Sequence, residues 1–246
     1  MSNCIHYIWL GGKKKPRVIR KCIKSWKKFF PGWEIKEWNE TNLDLDMCEF
    51  VREAYDKKKY AFAADVFRFE ILYKYGGLYF DTDVKVIKSF DDIINECDAF
   101  VGYEYRMAAP GLVLYESKPF DPIIKKVLDY YKSQKFIVDG NINTKVVGEY
   151  FSEVLEEYGF KYENKYQQCG NMTVYPNTYF CPYDGYGNPV NMSSETRSIH
   201  LYAASWMPAK YRFKVKIKSI IYNIFGLDLI QSFMNCVRKR NSNENR

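Results

Sequence analysis

The spacing of apolar and polar positions changes repeatedly along the chain, and the changes predict alternating strands and helices. Cys4 to Leu10 (CIHYIWL) is a β-prone run ended by Gly11-Gly12, and it reads as a first core strand. Arg17 to Phe30 places Val18, Cys22, Ile23, Trp26 and Phe29/Phe30 on one side of a basic amphipathic helix, which Pro31-Gly32 ends. Trp33 to Trp38 (WEIKEW) alternates as a second strand, and Leu45 to Lys59 reads as a helix. Ala61, Ala64, Arg68, Ile71, Leu72 and Tyr75 then recur at helical spacing without a proline. Gly76-Gly77 stops that helix, and Leu78-Tyr79-Phe80 is the short apolar run of an inner strand.

The remaining pattern is of the same kind. Val84 to Ile87 is extended, Phe90 to Ile94 starts a short helix, and Asp98 to Tyr103 and Pro110 to Leu114 read as strands. Phe120 to Gln134 and Thr144 to Tyr158 are amphipathic helices. Val174 to Pro176 and Tyr179 to Pro182 read as extended pieces, and Ser198 to Tyr202 as a last strand after a loop at 183–197 rich in Gly, Asn and Ser. No linker or repeat divides residues 1–206, so a single α/β domain is expected there.

Composition narrows the classes. The seven cysteines show neither a CxxC pair nor zinc spacing, and read as reduced thiols. No run reaches the roughly 18 apolar residues of a membrane span, and no leader pattern opens the chain, so a cytoplasmic protein is expected. The net charge is +7, yet residues 207–246 hold nine Lys/Arg against Asp228 and Glu244, which is +7 by itself. The excess therefore sits wholly in the tail. Residues 207–240 join basic positions (Lys210, Arg212, Lys214, Lys216, Lys218, Arg238-Lys239-Arg240) to Ile217, Ile220, Ile221, Ile224 and Phe225 at helical spacing. Such a basic amphipathic segment suits either an anionic membrane surface or packing on the domain. Nucleic acid is not the expected partner, because no recognition motif accompanies the charge. Residues 241–246 read as a disordered tail.

The candidate chemistry lies where the apolar strand runs out, at Asp81-Thr82-Asp83. One unpaired carboxylate near a core costs several kcal/mol, and two close together repel. A hard divalent cation, Mn²⁺ or Mg²⁺, removes both penalties. Asp65 and Arg68 lie one turn apart on a helix otherwise so apolar that the two charges need a polar destination. Trp9, near the end of the first strand, is placed to stack on a ligand base.

The block YAFAADVFRFEILYKYGGLYFDTDV resembles the DxD-bearing sugar-binding region of glycosyltransferase family 32, bacterial capsule and lipopolysaccharide transferases with Golgi relatives. IHYIWLGG, SWKKFFPGWEIKEWNE and IHLYAASW look like the same family's other landmarks, in the same order. The resemblance implies a GT-A-type, Rossmann-like nucleotide-sugar fold with a mixed sheet. It further implies a metal-dependent, retaining transfer of a hexose from a nucleotide-diphosphate sugar, expected to be a UDP-sugar. The acceptor would be a glycan or lipid-linked saccharide in surface polysaccharide synthesis.

By the same resemblance, Trp9 contacts the base, Ala61 lines its pocket, and Asp65 and Arg68 face the sugar and ribose. Asp81-Thr82 contact ribose or metal, Asp83 and His200 bind the metal, and Ser205-Trp206 lie near the leaving phosphate. Helices 120–134 and 144–158 would form an acceptor-side lobe. Ala108-Ala109 departs from the family, which carries polar residues in that area. Two other readings stay open. One is a toxin-like transferase acting on a protein. The other is a phosphohydrolase with Asp81 as nucleophile, which calls for a second acidic pair much later on another strand, whereas Asp91-Asp92 comes too soon.

Overall fold

The computed structural model describes residues 3–182 and 192–203. The chain begins with β1 (Cys4–Ile8), α1 (Arg17–Phe29), β2 (Glu34–Trp38), α2 (Glu49–Asp56), α3 (Tyr60–Tyr75), β3 (Gly77–Tyr79) and β4 (Val84–Val86). It continues through α4 (Asp91–Glu96), β5 (Ala99–Glu104), β6 (Met107–Glu116), α5 (Pro122–Lys132), β7 (Ile137–Val138), β8 (Asn141–Ile142) and α6 (Val147–Glu156). β9 (Gln167–Cys169), β10 (Met172–Tyr175), α7 (Asn177–Phe180) and β11 (Ser198–His200) complete the described part. Seven strands form one mixed sheet in the order β2-β1-β3-β6-β5-β10-β9. β1 is parallel to β2 and β3, and β10 is parallel to β5. β6 runs antiparallel to both β3 and β5. This is the α/β class that the alternating pattern predicts, with the mixed sheet that the family resemblance implies.

Each face of the sheet carries its own core. Leu78 and Phe80 pack with Ile5, Tyr7, Cys22 and Trp26 beneath α1, while Tyr79 packs with Val66, Phe67 and Leu72 of α3. The period of two in β3 thus sends neighbouring residues to opposite layers. α3 is covered by α2, α5 and the sheet, which is why so much of its surface is apolar. Gly76 ends it with φ +62 and an N–H bonded to Leu72 O at 2.8 Å. Gly77, at φ +93, lies so close to β1 that a Cβ would come within 2.6 Å of Cys4 O. The double glycine therefore both stops the helix and lets β3 enter beside β1.

Several local expectations are corrected. The helix expected over 45–59 is confined to Glu49–Asp56, because side chains compete with its start. Asn39 Oδ1 accepts from Thr41 N, Asn42 Oδ1 from Asn39 N, and Asp44 Oδ1 from Asp46 N. The stretch Tyr179–Pro182 is not extended throughout: α7 folds so that Phe180 is buried against Phe90 and Phe100. α5 and α6 make no separate lobe, since α5 packs on α3 and α6 on β6. β6 starts earlier than expected and takes in Ala108-Ala109, whose buried Ala108 N–H donates to Ser152 Oγ. Among the described residues no helix is long and apolar enough to cross a membrane. The basic segment 207–240 and the tail 241–246 lie outside the described residues.

His6, expected in the core or behind the site, is buried in β1. Trp38 Nε1 can only donate, so His6 Nδ1 accepts its proton at 3.1 Å and the ring's own proton sits on Nε2, facing Gly76 O at 3.0 Å. Burial pushes the imidazole down from 6.5 to about 4, with the Gly76 carbonyl opposing. The unfolded chain therefore takes up a proton near 6.5 that the folded chain refuses until about 4. Stability is full above that window and falls as pH drops through it, by up to about 3 kcal/mol. Denaturant melts of the native chain and His6→Gln between about pH 7 and pH 4.5 should show the acid-side slope reduced in the variant. Equal slopes would remove His6 as a source of the acid sensitivity.

Candidate active site

The site forms where the parallel strands end. From β1 the chain leads to β2 on one side, and through α2 and α3 to β3 on the other, so the sheet order switches at β1. Ligands of open α/β sheets bind outside the carboxyl ends of the strands at such a point. Trp9 follows β1 there, Asp81 and Asp83 follow β3, and Glu104 ends β5. A cavity of about 570 Å³ opens at this edge. Trp9, Ala61, Asp65, Arg68, Asp81, Thr82, Asp83 and His200 all line it. Ser205 and Trp206, expected beside the leaving phosphate, lie outside the described residues. Sequence reasoning missed Lys13, Lys58, Tyr60 and Tyr79 on the same wall. The glycine turn after β1 was the available signal for Lys13.

α3 delivers Asp65 and Arg68 from one face, as their spacing requires. Arg68 is buried, with Nη2 2.7 Å from Asp65 Oδ1 and 3.3 Å from Asp81 Oδ1. Its guanidinium carbon lies 5.1 Å from the centre of the Tyr79 ring, and Tyr79 Oη donates to Asp81 Oδ1 at 2.9 Å. Burial works against the Arg68 charge, but Asp81, Tyr79 and Asp65 outweigh it and hold the group firmly protonated. Burial pushes the Asp65 carboxyl up to about 7, with Asp81 adding to the shift and Arg68 opposing it. Arg68 Nε and Nη1 have no partner among the described residues. Buried donors are normally satisfied, and these two nitrogens, closed off from solvent, would need a small local opening to meet a ligand's oxygens.

β11 brings in His200 through its pairing with β4, where His200 stands opposite Val84. The imidazole lies between two carboxylates, with Nε2 3.3 Å from Asp83 Oδ1 and Nδ1 3.1 Å from Glu104 Oε1. Burial disfavours its charge, yet Glu104 and Asp83 raise its pKa well above the ordinary value. Burial would raise Asp83 and Glu104, but the opposing imidazole and further hydrogen bonds bring both below the usual carboxylate range. Asp83 Oδ2 accepts from Ala203 N at 2.8 Å. Glu104 Oε1 also accepts from Cys181 Sγ at 2.9 Å and Tyr202 Oη at 2.5 Å. Glu104 was not anticipated. Its only sequence signal was a carboxylate where an apolar strand runs out, the same sign that marked Asp81 and Asp83.

The donor set suits a hard divalent cation. Asp81, Asp83 and His200 line the cavity together, and carboxylate oxygens with an imidazole nitrogen are ligands that Mn²⁺ or Mg²⁺ accepts. Asp83 Oδ1 and His200 Nε2 are close enough to serve one ion. Asp91-Asp92, too early in the chain for the second acidic pair of a phosphohydrolase, open α4 away from the cavity, and Asp92 pairs with the buried Arg197. A second cavity of about 400 Å³ adjoins the first across Asp65, Arg68, Asp81 and His200. Its other walls include Glu104, Tyr105, Gly111 and Val146–Gly148 at the start of α6.

Residues 16–99 match the family described as glycosyltransferase sugar-binding region containing DXD motif. An uncharacterized glycosyltransferase of Acanthamoeba polyphaga mimivirus is 24% identical over 221 residues, covering 85% of this chain and 84% of its own. Among solved structures, PaToxG glycosyltransferase aligns at TM-score 0.46 and 20% identity, over 63% of this chain and 68% of its own. A glycosyltransferase involved in glycosylation of the major capsid of PBCV-1 aligns at TM-score 0.46 and 15% identity, over 87% and 99%.

Proposed function

We propose that this glycosyltransferase, whose DXD sugar-binding region spans residues 16–99, moves a hexose from a nucleotide-diphosphate sugar, expected to be a UDP-sugar, with retention of configuration. The acceptor in this reading is a glycan or lipid-linked saccharide of surface polysaccharide. The observation that carries it is the convergence of Trp9, Asp65, Arg68, Asp81, Asp83 and His200 on one cavity at the switch point of the sheet.

Asp83 and His200, assisted by Asp81, would hold Mn²⁺ or Mg²⁺. When bound, the cation supplies charge neutralisation for the pyrophosphate leaving group as the glycosidic bond breaks. Trp9 offers its ring to the base, with the indole fixed by the Nε1–H bond to Lys13 O at 2.6 Å. Ala61 leaves room for the ribose. Arg68 lines the cavity and supplies positive charge toward sugar or phosphate oxygens, and Asp65 and Asp81 hold the guanidinium in place. Lys13 and Lys58 add positive charge to the same wall. A cytoplasmic enzyme working at the inner membrane face belongs to the same proposal, supported by the basic apolar pattern of residues 207–240.

Thermal melts with UDP, GDP and UDP-sugars, each with and without Mn²⁺, test this reading. One nucleotide should raise the melting temperature in a Mn²⁺-dependent way, and Asp83→Ala should abolish that rise. A native chain that responds to no nucleotide would overturn the donor assignment.

A further inference from the structure

The link between residues 200 and 203 is tied to two carboxylates at once. His200 reaches Asp83 through Nε2 and Glu104 through Nδ1, Tyr202 Oη donates to Glu104, and Ala203 N donates to Asp83. Leu201 N adds a bond to Asp83 O at 3.0 Å. Tyr202 sits at φ +46, a left-handed conformation that a tyrosine adopts only when its surroundings impose it. Its ring lies 4.3 Å from the imidazole, centre to centre, while its hydroxyl is 2.5 Å from Glu104 Oε1. Cys181 donates to the same oxygen, with its sulfur 3.1 Å from Tyr202 Oη. Glu104 Oε1 is thus held by three side chains.

A histidine that ligates a metal through one nitrogen commonly gives its other N–H to a carboxylate, which sets the tautomer and the ring orientation. We propose that Glu104 is the positioning residue of the cation site: it takes the Nδ1–H of His200, so that Nε2 is left facing Asp83 and the cation. This rests on the metal-dependent reading above, and adds to it a carboxylate 21 positions beyond the DxD, a difference read from Asp83 and Glu104. Glu104, Cys181 and His200 also lie close enough together to make a ligand set themselves, and that competing role is separable by experiment.

The test is Mn²⁺ affinity of the full chain without nucleotide, read from the EPR signal of free Mn²⁺, with the imidazole-nitrogen coupling of bound Mn²⁺ from pulsed EPR. Native protein should bind and show the coupling, and His200→Ala should lose it. Glu104→Gln keeps an acceptor without charge, and Glu104→Ala removes both. Each should weaken binding about 10- to 100-fold, more in the alanine variant, with the coupling retained at saturating Mn²⁺. Metal-free thermal melts of both variants establish that they are folded. Unchanged affinity in folded Glu104→Gln would overturn the proposal, as would a loss as complete as in Asp83→Ala, which would make Glu104 a ligand. A native protein that binds no Mn²⁺ would instead remove the metal-dependent reading beneath it.

Discussion

Arg68→Leu is expected to lose about 3–5 kcal/mol of folding stability together with the nucleotide response. Arg68 is the cation between Asp65 and Asp81, and its guanidinium is almost wholly out of water. Leucine fills much of the volume but leaves two carboxylates facing each other without a counter-charge, and an uncompensated buried charge is among the costliest defects a domain can carry. Arg68→Lys should fall between the two. An ammonium keeps the charge, but it is a compact point on a flexible stem and loses the planar fork that reaches both partners. Urea melts provide the measurement: the midpoint should drop with the slope preserved. Native stability in Arg68→Leu would mean that the two aspartates are solvated rather than held by the arginine.

Gly111→Ala should do the reverse, keeping the fold and lowering kcat/KM about 100-fold. Between the pairs Val101↔Leu114 and Gly102↔Ala109 the register of β5 and β6 shifts, so residues 110–113 bulge out of the ladder. Bulges of this kind re-aim backbone next to active sites. Here the bulge turns Gly111 O to accept from Asp81 N at 2.8 Å and brings Gly111 beneath the Asp81 carboxylate. A Cβ at Gly111 would stand 2.8 Å from Arg68 Nη1 and overlap Asp81 Oδ2. Asp81 cannot swing aside freely, because Tyr79 and Arg68 both hold its other oxygen. The added methyl therefore displaces the first aspartate of the DxD pair, and small misplacements in a reacting site have large kinetic effects. Steady-state kinetics alongside a melting curve decide the matter. Unchanged kcat/KM would take Asp81 out of the reacting centre.

The elements nearest the chemistry were the most legible. α3, the double glycine and β3 follow from helical spacing, a stop and a short apolar run, and the structure places each within a residue or two of the expected limits. The pattern failed where side chains bond back to the local backbone, as Asn39, Asn42 and Asp44 do ahead of α2. It failed again where a distant apolar partner decides conformation, as Phe90 and Phe100 do for Phe180 in α7.

The sequence by itself determined the α/β class, the DxD pair at a strand end, and the placement of Asp65 and Arg68 on one stripe of an apolar helix. These are local properties, set by periods of 2 and 3.6 and by what a buried charge demands of its surroundings. Only the tertiary structure decided that Glu104 and Cys181 meet His200, that Gly111 lies under Asp81, and that Arg68 answers to Asp81 as well as Asp65. Those contacts join residues from 13 to 96 positions apart through helix packing, strand order and a register shift. None of these leaves a trace in the spacing of neighbouring residues, because each is set by which elements lie side by side.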